Sequence, residues 1–148
     1  MTNKALTYAE ETLGVHKIYE ILGQHVEDLD VATSDLDKAL DWKRELEEKY
    51  ADREVELISE KRGIHPDISD TRFRQDMKTW ERQDPALSQL RIDLNTVKGE
   101  IQGIEFDISL TKTRIQVGSA RLVELGGYLN YLAVVKNQAE NTTQEKTV

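Results

Sequence analysis

No cysteine occurs in the 148 residues, which removes disulfides, thiolate nucleophiles and zinc sites of the cysteine type. Proline appears only twice, at Pro66 and Pro85, so two long stretches are free of the strongest helix breaker. No segment approaches the roughly 18 uncharged apolar residues of a membrane span, and residues 1–11 lack the basic and then apolar pattern of a secretory signal. The expectation is a soluble, cytoplasmic protein, in the host cytoplasm if viral, with no membrane association. The sequon Asn141-Thr142-Thr143 is then a chance match. Clustered Lys and Arg are missing too, so no surface is set up to release counterions from a duplex, and direct nucleic-acid binding is not expected.

What the chain does have is periodicity. Leu87, Leu90, Leu94, Val97, Ile101 and Ile104 begin a seam that steps by threes and fours through Ile108, Thr111, Ile115, Gly118, Leu122, Leu125, Leu129 and Leu132. Twelve of these fourteen positions are aliphatic, and no proline interrupts them. At about 1.5 Å per residue the seam marks a helix of roughly 70 Å made to lie against another helix. A rougher seam fills the first third, from Val15, Ile18, Leu22, His25, Leu29 and Ala32 through Leu36, Ala39, Lys43, Leu46, Tyr50 and Arg53 to Leu57.

Between the seams, Gly63 suits a helix C-terminal cap and Pro66 forbids continuation. Ser69 or Asp70 caps a short amphipathic helix bearing Phe73, Met77 and Trp80, and Asp84-Pro85 restarts the chain as a cap and a first-turn proline. The expected domain is therefore 1–136, with helices at 12–62, 70–83 and 85–136, followed by a disordered polar tail at 137–148. Gly126-Gly127 offers an alternative end or kink for the last helix. Two seams of similar length joined by some two dozen residues predict an all-α fold, a long antiparallel helical hairpin of coiled-coil type with the short helix near its turn.

The long helix carries a second stripe opposite its seam. Ile92, Gly99, Gly103, Phe106, Leu110, Val117 and Tyr131 recur at the same spacing, with Thr96, Thr113, Ala120, Gly127 and Val134 between or beyond them and Glu124 as the one charge. Small residues tolerated on a wet face are the plain explanation. A two-helix hairpin covers only one face, however, and an exposed apolar strip of this length exceeds what soluble monomers show. The expectation is a homo-oligomer, a helical bundle closed through this stripe, with a heterologous partner helix as the alternative cover.

Net charge is −8 and unevenly placed, because residues 1–62 hold sixteen acids against nine bases. Glu20, Glu27, Asp41, Glu45, Glu48 and Asp52 share the outer side of the first helix, either as an ordinary solvated face or as a surface offered to a protein partner. Chemistry is otherwise sparse. His16, His25 and His65 are scattered, none sits in the Glu-x-x-His arrangement of metal-binding bundles, and no phosphate loop or nucleophile–base pair occurs. No enzyme activity, metal or cofactor is expected. Trp42 and Trp80 read as core packing or as partner anchors.

The acidic first helix, the Gly63-Ile64-His65-Pro66 break, the run Trp80-Glu81-Arg82-Gln83-Asp84-Pro85-Ala86-Leu87 and the long last helix together resemble small coiled-coil proteins of bacteriophages. The named comparison is the Gam-like host-nuclease inhibitor family, which this chain resembles from Val15 to Lys136 in pattern alone, so no single residue's role carries over. The resemblance implies a dimeric helical hairpin encoded near DNA-recombination genes. Three functions follow as expectations: a phage-like assembly or adaptor protein accessory to DNA recombination or replication, an acidic DNA-mimicking inhibitor of a host nuclease or defence enzyme, and a virion structural or scaffolding component.

Overall fold

The computed structural model describes residues 14–145, with side chains as far as 141. The expected helix start at 12 and the last tail residues, 146–148, lie outside that range. Among the described residues the fold is all-α, with three helices and no strand: α1 (Val15–Ile64), α2 (Asp70–Gln83) and α3 (Pro85–Glu145).

Each boundary has a local cause. Gly14 precedes α1 with φ +64°, a conformation that strains any residue with a Cβ, and its carbonyl accepts the N–H of Ile18 at 3.0 Å. At the other end the sequence pointed to Gly63 as a left-handed cap, but Gly63 lies inside α1 without a positive φ. The helix instead runs to Ile64, and the N–H of His65 still reaches the Lys61 carbonyl at 2.9 Å. Pro66 explains the stop, because its ring drives the preceding residue out of helical geometry and no left-handed residue is required. Lys61 and Arg62 place positive charge in that last turn, where the helix dipole is negative.

Ser69 occupies the N-cap position of α2 with an extended backbone, yet its side chain makes no capping bond, so that part of the sequence reading is corrected. Asp70 stands in the first turn and is gripped by Arg62 from α1. A single residue, Asp84, separates α2 from α3. Its N–H donates to the Trp80 carbonyl at 2.9 Å, closing α2, while its Oδ2 accepts the Leu87 N–H at 3.0 Å, opening α3.

One further boundary differs from expectation. α3 passes through Gly126-Gly127, as the helix expected at 85–136 does and not as the alternative end there would have it, but it continues through the polar segment after Lys136 as far as Glu145. Residues 137–145 contain neither glycine nor proline to break the helix where apolar periodicity has stopped, and Lys136 lies 4.0 Å from Glu140 one turn on.

The chain divides into two compact units, one of residues 32–107 and one that joins the chain up to Val31 with the chain from Ile108. In the first, the turn unit, α1 and α3 run in opposite directions with α2 laid against them. One cluster joins Ala39 and Leu46 to Val97 and Ile101, and another joins Leu57, Phe73, Met77 and Leu87. Leu87 and Val97 are fully buried. The second, the terminal unit, contains the first turns of α1 beside the later part of α3. Its seam positions are half-buried, and none of its described residues is fully buried. Leu22 packs so closely on Gly118 that a Cβ at Gly118 would lie 2.5 Å from a Leu22 methyl.

Candidate functional site

Every seam position is buried or half-buried, from Val15 to Leu57 on α1 and from Leu87 to Leu132 on α3, including the atypical Thr111 and Gly118. The heptad spacing thus identified the inward faces. The other face of α3 is open. In the turn unit, Ile92 is 59% exposed and Phe106 68%, and nothing lies within 4 Å of a Cβ built on Gly99 or Gly103. In the terminal unit, Leu110 is 39% exposed, and Val117 and Tyr131 are each 64% exposed. All seven stripe residues are therefore exposed, each within its own unit.

The acidic positions of α1 are also outward. Glu20, Glu27, Asp41, Glu45, Glu48 and Asp52 are all exposed. Glu20 receives His16 at 3.2 Å and Asp41 receives Arg44 at 3.2 Å, both one turn away on the same helix. Exposed pairs of this type contribute a few tenths of a kcal/mol and leave the face acidic.

The most constrained polar site was not visible as a site in the sequence. Arg53, on the α1 seam, forks onto Asp84: Nε donates to Oδ2 at 3.1 Å and Nη2 to Oδ1 at 2.7 Å. Its Nη1 also donates to Glu60 at 2.9 Å and to Glu56 at 3.3 Å. The Asp84 side chain is only 8% exposed, so the same carboxylate serves as helix cap and as partner of a seam arginine. Arg53 holds the Asp84 carboxyl below its usual range, and the hydrogen bonds it donates to Asp84 and Glu60 in turn raise the guanidinium further above its own. Glu54 behaves in the opposite way: burial, together with the nearby charge of Glu81, pushes its carboxyl upward. The sequence placed Arg53 on the seam and Asp84 at a cap; only the fold brings these residues, 31 apart, into contact.

An aromatic cluster closes the turn. His65 stacks on Trp80 with ring centroids 5.3 Å apart and planes 1° from parallel, Phe73 meets Trp80 edge-on at 5.5 Å, and Arg62 lies 3.9 Å over the Phe73 ring. Trp80 is thus a packing residue, whereas Trp42 is 41% exposed.

No family model, curated protein or solved structure matches this chain. Its surfaces must therefore be interpreted from their own chemistry. Among the described residues no three His, Cys, Asp or Glu side chains gather where they could hold a metal ion, and no helix is long and apolar enough to cross a membrane. Shallow grooves lie among the described residues of both units. One, of about 390 Å³, lies in the terminal unit between Ile18, Leu22 and His25 of α1 and Val117, Gly118 and Arg121 of α3. The other, of about 600 Å³, lies in the turn unit over Phe73 and Met77, with Arg62, Arg74 and Lys78 beside Asp70 and Glu81. Both are open to solvent; Thr113 lines the first beside His25, and its hydroxyl donates to the Ser109 carbonyl at 3.0 Å.

Proposed function

We propose that this chain is a non-enzymatic assembly or adaptor protein of phage-like type, acting through protein–protein contacts. It self-associates through the outward stripe of α3 and displays the acidic face of α1 to a protein partner. The observation that carries this proposal is the exposure of Ile92, Phe106, Val117 and Tyr131 on one helix whose opposite side is already occupied by α1. An apolar strip that long stays in water only at a cost, and a second helix relieves it. A cytoplasmic setting and a role accessory to DNA recombination or replication belong to the same proposal, and their support is the pattern resemblance in the sequence.

Size-exclusion chromatography with light scattering tests the assembly. The natural chain is expected as an oligomer at micromolar concentration, and Phe106→Glu with Leu110→Glu as a monomer of nearly unchanged helix content by circular dichroism. A natural chain that runs as a monomer sinks the proposal. Capture of a host nuclease from extract, reversed by competing DNA, would transfer the function to the inhibitor class.

A further inference from the structure

The stripe of α3 has two flanks, and their chemistry differs. One flank, following Ile92, Gly99, Phe106, Thr113 and Ala120 by one residue, reads Asp93, Glu100, Asp107, Arg114, Arg121 and then Tyr128. It is acidic up to Asp107 and basic from Arg114. The other flank reads Asn95, Gln102, Ser109, Gln116, Val123 and Asn130, with no charge at any position. Among the described residues, Glu100, Asp107, Arg114 and Arg121 are all exposed, and their side chains take part in no ion pair or hydrogen bond.

In a parallel helix pair each flank faces the opposite flank of its neighbour, whereas in an antiparallel pair like flanks face each other. A parallel pair would set all four charges against neutral amides and hydroxyls and gain nothing from them. An antiparallel pair sets the charged flank against itself, and a sign that reverses midway then becomes complementary.

We propose that two copies of this chain pack antiparallel through α3 about a two-fold axis between Leu110 and Thr113, with Asp107 facing Arg114 and Glu100 facing Arg121 of the second copy. Symmetry makes each pair twice, giving four ion pairs. The proposal rests on the self-association just proposed and adds its orientation and register.

The stripe itself fits that register. Alignment of the charges places Ile92 opposite Tyr131, Phe106 opposite Val117 and Gly103 opposite Ala120, so large residues meet near the ends and beside the axis while small ones let the backbones approach between them. Glu124, the one charge in the stripe, falls opposite Gly99, whose missing side chain leaves room for it to reach water. The glycines and the single acid of this face are then accounted for together.

The absence of cysteine makes cross-linking a clean test. Gly103→Cys and Ala120→Cys chains, each purified, are oxidised alone and as a mixture. The expected result is a disulfide-linked dimer only in the mixture. A dimer linked in the Gly103→Cys sample alone, from a natural chain that light scattering shows to be dimeric, overturns the antiparallel register but leaves self-association standing. A monomeric natural chain overturns both.

A charge exchange provides a second test. Arg114→Glu with Arg121→Glu in one chain, and Glu100→Arg with Asp107→Arg in another, should each weaken self-pairing by at least about tenfold. Their mixture restores all four pairs and should recover natural affinity. If the mixture associates no better than either variant alone, the register is wrong.

Discussion

The turn unit and the terminal unit are built from the same two seams, yet only the turn unit contains fully buried side chains among the described residues. α2 accounts for part of the difference. Phe73 and Met77 from that short helix, with Trp80 at its edge, close over Leu57 and Leu87. Val97, with Ala39, Leu46 and Ile101, is buried between α1 and α3 without any α2 residue, whereas the seam positions of the terminal unit, Leu22 and Leu122 among them, stay half-buried. The terminal unit is therefore where a second chain would contribute most, and its outward Val117 and Tyr131 lie on the stripe proposed for that contact.

The largest test of this contrast is truncation inside each seam. Leu87→Ala removes a fully buried side chain and should cost about 3–4 kcal/mol in chemical denaturation, whereas Leu122→Ala, half-buried, should cost roughly 1 kcal/mol. Equal losses would show that the two units are equally supported.

Next in size is Asp84→Ala, which removes the α3 cap and leaves Arg53 without its fork, for a loss of about 2 kcal/mol. Because Arg53 depresses this carboxyl, its contribution is complete at neutral pH and is lost as pH falls through the depressed folded value. Melting followed against pH should show the natural chain losing stability in acid, with Asp84→Asn changing less over the same range.

Gly103→Ala separates chain stability from assembly. The helix interior should gain up to about 1 kcal/mol, while dimer dissociation measured by sedimentation becomes easier, since the site is open in one chain but close-packed in the proposed pair. The smallest effect is Glu54→Gln. Burial and Glu81 raise the Glu54 carboxyl, so its ionisation opposes folding as pH rises through the ordinary carboxylate range; the variant should gain roughly 0.3 kcal/mol at neutral pH and converge with the natural chain in acid.

The inward faces were legible in the sequence because a seam is a local repeat: each position follows from its neighbours three and four residues away. Asp84-Pro85 was legible for the same reason, as both caps act within one turn. Gly63 misled because its usual role was already supplied by Pro66. The extension of α3 past Lys136 escaped a reading based on apolar period, since that turn is continued by polar residues. Arg53 with Asp84, and His65 with Trp80, escaped it because their partners are distant in the chain and no periodic signal links them. The outward stripe and the sign reversal along its flank are both contained in the helix expected at 85–136, so each could be read from spacing alone.

Trp42 and Trp80 are the only tryptophans, and both belong to residues 32–107. Indole emission is thus an optical label that the molecule carries for one unit alone. Trp80, stacked on His65, should emit to the blue of exposed Trp42, and its signal should persist during any melting confined to the part containing Tyr19, Tyr128 and Tyr131. Backbone dichroism and indole emission recorded on one heated sample would then separate along the temperature axis, and the width of that gap would measure how independently the two ends of each long helix let go.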